Sequence, residues 1–167
     1  RDRYLISKFG SADAAKTIYD NIYDEGLVEG INFNFDSIMT TPNSFNSHRL
    51  LALAYKQGIQ ENVLDNLFES YFLNGEDIGD PNVLLDIAIK HKIGAEDFKS
   101  YLSDQENIEP LANEEIQARK MGINSVPTFI INKQIVINGA QTSENFEIIF
   151  QKLKNLSLIH ISEPTRR

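Results

Sequence analysis

An α/β fold, with a block of helices set between an extended segment and a C-terminal β-hairpin, is what this sequence predicts. Three observations carry it. Two short apolar runs, Thr128 to Ile131 and Gln134 to Asn138, flank Asn132-Lys133 near the end of the chain. Each is too short for a helix and rich in β-branched residues, so together they read as a hairpin. Neither run alternates with polar residues, which predicts cover on both faces. Upstream, apolar residues recur at helical spacing from about Asn43 to Met121. Before that block, Ile31, Phe33 and Phe35 alternate with Asn32, Asn34 and Asp36, an extended segment with one apolar side.

Taken in order, Ser11 is placed to cap a helix that Ala14, Ala15, Ile18 and Ile22 carry as far as Gly26. Phe33 and Phe35 are expected in the core, since aromatic rings dominate core burial. Pro42 keeps the chain extended, and Asn43 then caps a helix from Ser44 to Gln57 with Leu50, Leu51, Ala54 and Tyr55 as its inner stripe. After Gly58, Glu61 to Leu73 form the next helix, with Leu64, Leu67, Phe68, Tyr71 and Phe72 inward. Asp80-Pro81 pairs an N-cap with a first-position proline, and Val83, Leu84, Ile87, Ala88 and Ile93 carry that helix to Gly94. Ala95 to Leu102 and Ile108 to Met121 complete the block, the last helix stopping at Gly122. Ser125-Val126-Pro127 then leads into the hairpin, and Gly139 to Ser143 into a short amphipathic helix.

Composition narrows the function. A chain of 167 residues, 41% hydrophobic and 24% charged, can build one sizeable core. A formal charge of −8 opposes a nucleic-acid or anionic-membrane surface, and no apolar run is long enough to span a bilayer. No metal is expected: the oxygens of Asn74 to Asp80 lack the alternating spacing of a calcium loop and its closing glutamate. No Ser-His-Asp set can be assembled. Cysteine is absent altogether.

Six segments extend the pattern: KFG (Lys8 to Gly10), FNFD (Phe33 to Asp36), TPNSFNSHRL (Thr41 to Leu50), LFESYF (Leu67 to Phe72), ARKMGINSVPTFIIN (Ala118 to Asn132) and NGAQ (Asn138 to Gln141). In this order and spacing they resemble the DsbA-like family of thioredoxin-fold proteins, in its FrnE-like branch, close to 2-hydroxychromene-2-carboxylate isomerase and kappa-class glutathione transferase. The resemblance runs from about Tyr4 to Leu153. It implies a thioredoxin-like fold over residues 1–153, with an inserted all-α subdomain over about 43–121 and the hairpin and last helix over about 127–153. It also implies that the first β-α-β unit, with the reactive C-x-x-C or its serine counterpart, lies upstream of Arg1. Residues 156–167 are expected to be a non-native tail, because LSLIHISEPTR resembles the translation of a sequencing adapter and shows no helical period.

The activity implied is that of a thiol-disulfide oxidoreductase or isomerase in the complete protein, this cysteine-free chain itself being inactive. The alternatives are a glutathione-dependent isomerase or transferase on the same scaffold and an inert peptide-binding module. No cofactor is expected, glutathione entering only as a co-substrate. The partner implied is a disulfide-containing protein or a small thiol, with no nucleic acid and no membrane, and the family branch points to the cytoplasm.

By the same resemblance, the Val126-Pro127 bond is cis and faces the active site, and Ser125, Val126 and Pro127 hold substrate. The Val126 N–H and C=O would pair with an extended backbone, as in strand addition. Ala140 and Gln141 stand before the last helix, where a carboxylate such as the γ-glutamyl end of glutathione is favoured. The loop lacks the acidic residue of the kappa-class pattern, and simple capping by Thr142 or Ser143 explains it equally well. Asn43 and His48 correspond to the family stretch that faces the catalytic helix. Asn43 serves as a cap regardless, and His48 as a cation would lower a nearby thiol pKa.

Overall fold

The computed structural model describes residues 1–123, 126–132 and 135–161, with side chains through Lys154. The chain divides into two compact units, Arg1–Asn113 and Glu114–Arg167. The first holds α1 (Asp2–Phe9), α2 (Ala12–Val28), α3 (Phe45–Lys56), α4 (Gln60–Phe68), α5 (Pro81–Lys90) and α6 (Ala95–Ser103). Helix α7 (Ile108–Lys120) runs across the division, and the second unit adds β1 (Thr128–Ile131), β2 (Ile135–Asn138) and α8 (Ser143–Ile161). The helices expected as an insertion over 43–121 lie with α1 and α2 in the first unit as far as Asn113.

Local chemistry sets several helix ends. Ser11 Oγ accepts from the Ala14 amide at 3.1 Å, and Asp80 Oδ1 accepts from Asn82 at 2.8 Å with Pro81 at the first helical position. Gly122, at φ 82°, closes α7: its own amide reaches Arg119 O and that of Ile123 reaches Ala118 O, both at 3.0 Å.

Gly26 does not end α2. It is buried inside the helix, and a Cβ there would sit 2.5 Å from the Phe33 ring. The stop is Gly30 at φ 79°, with Ile31 N bonded to Gly26 O at 2.7 Å. The bare backbone of Gly26 is thus a seat for Phe33. Phe33 in turn stacks on Phe35, which heads a 3-10 turn over Phe35–Ser37 at the end of the segment expected to be extended.

The core of the first unit is built by α3 to α6: Leu50, Leu53, Ala54, Val63, Leu67, Leu84, Ile87, Ala88, Ile93 and Phe98. Two expected inner positions point outward, Tyr55 at 71% exposure and Phe68 at 53%. Leu53 and Val63 are buried instead, so each inner stripe is turned from the one read in sequence. The expected helix 61–73 is α4 followed by a π-helical turn over Glu69–Leu73, whose wider pitch moves Phe72 to the Phe33–Phe35 pair.

One charged residue lies inside. Arg49, 4% exposed, donates from its guanidinium to the carbonyls of Tyr101, Leu102 and Asp104 at 2.9–3.0 Å. No carboxylate pairs with it among the described residues. Its charge is met instead by the carbonyl end of α6, where the helix dipole is negative.

In the second unit β1 and β2 pair antiparallel in the register Thr128↔Asn138, Phe129↔Ile137, Ile130↔Val136, Ile131↔Ile135. Asn132 turns the chain at φ 53°; Lys133 and Gln134 lie outside the described residues. Phe129 meets Phe146 of α8 edge-on at 4.9 Å. The opposite face is open, with Ile130 42% and Val136 45% exposed. Cover on both faces, expected from the unbroken apolar runs, is therefore found on one. Helix α8 continues to Ile161, so residues 156–161 of the expected tail are helical despite their lack of apolar period.

Replacing Arg49 by Met should destabilise the first unit by about 3 kcal/mol, because Leu102 and Asp104 lose their guanidinium donor while Tyr101 keeps Asn107. A urea melt followed by far-UV circular dichroism measures it. An unchanged midpoint would mean that water replaces the guanidinium at no cost.

Candidate functional site

The second unit assembles its site around one backbone hydrogen bond. The amide of Gly139 donates to Pro127 O at 2.8 Å, so the loop before β1 and the loop after β2 are held side by side. Val126, Pro127, Ala140 and Gln141 are thereby brought together. The Val126-Pro127 peptide bond is cis. Val126 is 90% exposed. Ser125, the third residue expected there, lies outside the described residues.

The same bond fixes which backbone groups look outward. In an antiparallel pair, bonded and non-bonded residue pairs alternate. Pro127 and Gly139 form a bonded pair, which makes Phe129–Ile137 and Ile131–Ile135 bonded pairs as well. Ile130 and Val136 are then a non-bonded pair, and the N–H and C=O of Ile130 project from the outer edge of β1. Among the described residues the sheet has two strands, and no third strand pairs with β1 at Ile130.

Gln141 is occupied locally. Its Nε2 donates to Asn138 O at 3.3 Å and its Oε1 accepts from Asn145 Nδ2 at 3.4 Å. The start of α8 is likewise used by its own side chains. Thr142 Oγ1 accepts from the Asn145 amide at 3.3 Å. The Glu144 carboxyl is held below its ordinary value by its own backbone amide and then by the Thr142 hydroxyl. The donors that would greet a ligand carboxylate thus already face one.

Asn43 and His48 belong to the first unit. Asn43 Oδ1 accepts from the Phe45 amide at 3.1 Å, a turn-capping bond one residue ahead of the N-cap Ser44. The Asn43 backbone also packs on Gly79, where a Cβ would stand 3.1 Å from Asn43 O. These contacts give Asn43 a structural task. His48 is exposed on α3. Of the expected site residues, Val126, Pro127, Ala140 and Gln141 therefore belong to the second unit, and Asn43 and His48 to the first.

Sequence reasoning missed Gly139, Glu144 and Arg49. Gly139 acts through its amide, which no residue type announces. Glu144 could have been found as an acidic residue in the first turn of a helix. Arg49 had a signal too, standing four residues before Leu53 on a helix whose other face is polar. Among the described residues no three His, Asp or Glu side chains are grouped to hold a metal ion, and no helix is long and apolar enough to cross a membrane.

Residues 8–151 match the model of the DSBA-like thioredoxin domain family. The chain belongs to that family. Its fold is thioredoxin-like, with the helical insertion in place. A crystal structure of a probable DsbA oxidoreductase from Streptomyces coelicolor superposes with a TM-score of 0.73 at 23% identity, covering 98% of this chain and 68% of the other. No curated protein matches significantly. The family is one of thiol-disulfide oxidoreductases.

Because the Glu144 pKa is lowered on folding, its contribution is fully present above the unfolded value near 4.5 and is lost as pH falls through the folded value. A carboxyl-carbon titration by NMR should give Glu144 a midpoint below 4.5, with its own backbone amide resonance moving in step. In Glu144→Gln that step should vanish. A midpoint at or above 4.5 would show that the α8 donors are not engaged.

Proposed function

We propose that this chain is the substrate-holding portion of a DsbA-family thiol-disulfide oxidoreductase or isomerase, and that it presents the outer edge of β1 to an extended peptide. The observation that carries the reading is the outward-directed backbone of Ile130, four positions along from exposed Val126. Main-chain pairing to such an edge gives affinity with little sequence selectivity, which suits an enzyme acting on many disulfide-containing proteins. The FrnE-like branch is the placement that the six ordered segments favour, and with it a cytoplasmic setting.

Holding and attacking are separate tasks here. Thiol-disulfide exchange needs a thiolate nucleophile, and the chain contains no cysteine. On this reading the attacking thiolate comes from outside these 167 residues. Glutathione is the less favoured co-substrate, since Thr142 and Glu144 engage the α8 amides that would hold its carboxylate. His48 stays a candidate for lowering the pKa of that thiol, and Asn43 is assigned to the turn.

Titrating an unstructured, disulfide-free peptide into isotope-labelled protein should shift the Ile130 amide more than its neighbours Phe129 and Ile131, whose amides face β2. Ile130→Pro removes the outward donor without touching a bond between the strands, and proline is tolerated at such an edge. Peptide binding should be lost while the Phe129 and Ile137 amides keep their positions. Equal binding by the variant would place the peptide elsewhere. Separately, insulin reduction by the purified chain should not exceed background, and turnover above it would contradict the need for an external thiolate.

A further inference from the structure

Asparagine is followed by glycine twice, at Asn74-Gly75 and Asn138-Gly139. With no side chain on the second residue, its backbone nitrogen can close on the asparagine Cγ and expel the amide nitrogen as ammonia. Both asparagines are exposed, yet the fold treats the two pairs differently. At Asn138-Gly139 every reacting group is held. The linking peptide donates from Gly139 N to Pro127 O at 2.8 Å and accepts at Asn138 O from Gln141 Nε2 at 3.3 Å. The carboxamide Oδ1 accepts from Thr128 Oγ1 at 3.1 Å.

Asn74 stands at the end of the π-helical turn over Glu69–Leu73. The peptide that joins it to Gly75 makes no hydrogen bond among the described residues, and neither does its carboxamide. The peptides on each side are fixed: Asn74 N donates to Glu69 O at 3.1 Å, and Glu76 N to Ser70 O at 2.8 Å. One unbonded peptide between two held ones can rotate about its own Cα–Cα axis while the chain around it stays still. Gly75 is also required where it stands, since its φ is 72° and a Cβ would run into Ser37. The fold thus keeps beside Asn74 the one residue type that leaves its Cγ open to attack.

We propose that Asn74 is a site of spontaneous, one-way modification to aspartate and isoaspartate, and that the conversion loosens the first unit as the protein ages. The Gly75 nitrogen gives its proton to hydroxide and bonds to Asn74 Cγ. The Cγ–N bond breaks, and the amide nitrogen takes up a proton and leaves as ammonia. Water then opens the succinimide ring at either carbonyl, giving aspartate or, with the main chain rerouted through the side chain, isoaspartate. Either product puts a negative charge at the carbonyl end of a helix, where the dipole opposes it, and beside Glu76 and Asp77. Isoaspartate also lengthens the main chain between the Asn74 and Glu76 amides, so that their bonds to Glu69 and Ser70 no longer fit together. Phe72 lies within that turn, its carbonyl taking the Asn34 amide at 2.8 Å and its ring meeting Phe33 and Phe35.

The test holds the full chain at mildly alkaline pH and maps it by mass spectrometry at intervals, counting isoaspartate with an isoaspartyl methyltransferase and a labelled methyl donor. In the folded chain Asn74 should convert faster than Asn138 by about tenfold or more, because the bonds at Asn138 must open first. In urea, which frees both pairs, that ratio should fall close to unity. The aged chain should unfold at lower urea than the fresh one. Asn74→Gln, whose longer side chain does not close the five-membered ring, should keep its midpoint through the same treatment. The proposal is overturned if Asn138 converts as fast as Asn74 in the folded chain, if the ratio is unchanged in urea, if Asn74 persists, or if aged and fresh chains melt alike.

Discussion

The first unit depends on a buried charge that no opposite charge among the described residues neutralises. Arg49 sits within α3 beside the apolar residues of the core, and its guanidinium takes three carbonyls from the end of α6 and the turn that follows. Five donors in a rigid plane suit that task better than an ammonium would, because the three acceptors are spread along one stretch of chain. The contact joins residues more than fifty positions apart and fixes α3 against α6, the two outermost helices of the core in sequence. Apolar packing supplies most of the stabilisation, but it is non-directional. Arg49 supplies the direction, so that Leu50 and Leu53 meet Phe98 and Ile93 in one arrangement.

The second unit rests on a smaller constraint of the same kind. One amide, that of Gly139, holds Pro127 and thereby sets which residues of β1 bond inward and which outward. A register shift of one residue would exchange the Phe129 and Ile130 faces and carry Phe129 away from Phe146. The aromatic contact and the backbone bond therefore specify the same register. Because period two governs backbone as well as side chains, the bond that seats Phe129 also sends the Ile130 amide to the free edge. Packing and the proposed peptide edge are two consequences of one register.

Helices with sequence punctuation were legible. Ser11, Asp80-Pro81 and Gly122 mark ends by mechanisms that operate within a few residues, and each does in the structure what its type favours. Less legible was whatever depends on a partner distant in sequence. Gly26 looked like a stop because glycine usually is one, yet it is bare to admit Phe33, a contact that requires the fold to be known. Tyr55 and Phe68 seemed inward because aromatic residues generally are, whereas the neighbouring helices set the faces to Leu53 and Val63. The hairpin was legible as a hairpin, but not its open face, since apolar runs report how much cover they can use rather than how much they receive. Helix α1 gave no signal, having neither a side-chain cap nor a buried residue. Of the candidate site, Val126 and Pro127 were legible through the family segments, and the competition at the start of α8 was not.

That competition bears on how the two halves of the proposed chemistry divide. A helix N-terminus attracts whichever carboxylate is nearest, and here the chain provides its own in Glu144. An intramolecular carboxylate has no association entropy to overcome, so a free tripeptide would have to displace it as well as bind. On the proposed reading an extended peptide at β1 meets no rival strand at Ile130 among the described residues. On the proposed reading, the end of the site suited to a small anionic thiol is occupied by Glu144, and the end suited to a polypeptide is not. This asymmetry is what favours a protein disulfide over glutathione as the species held.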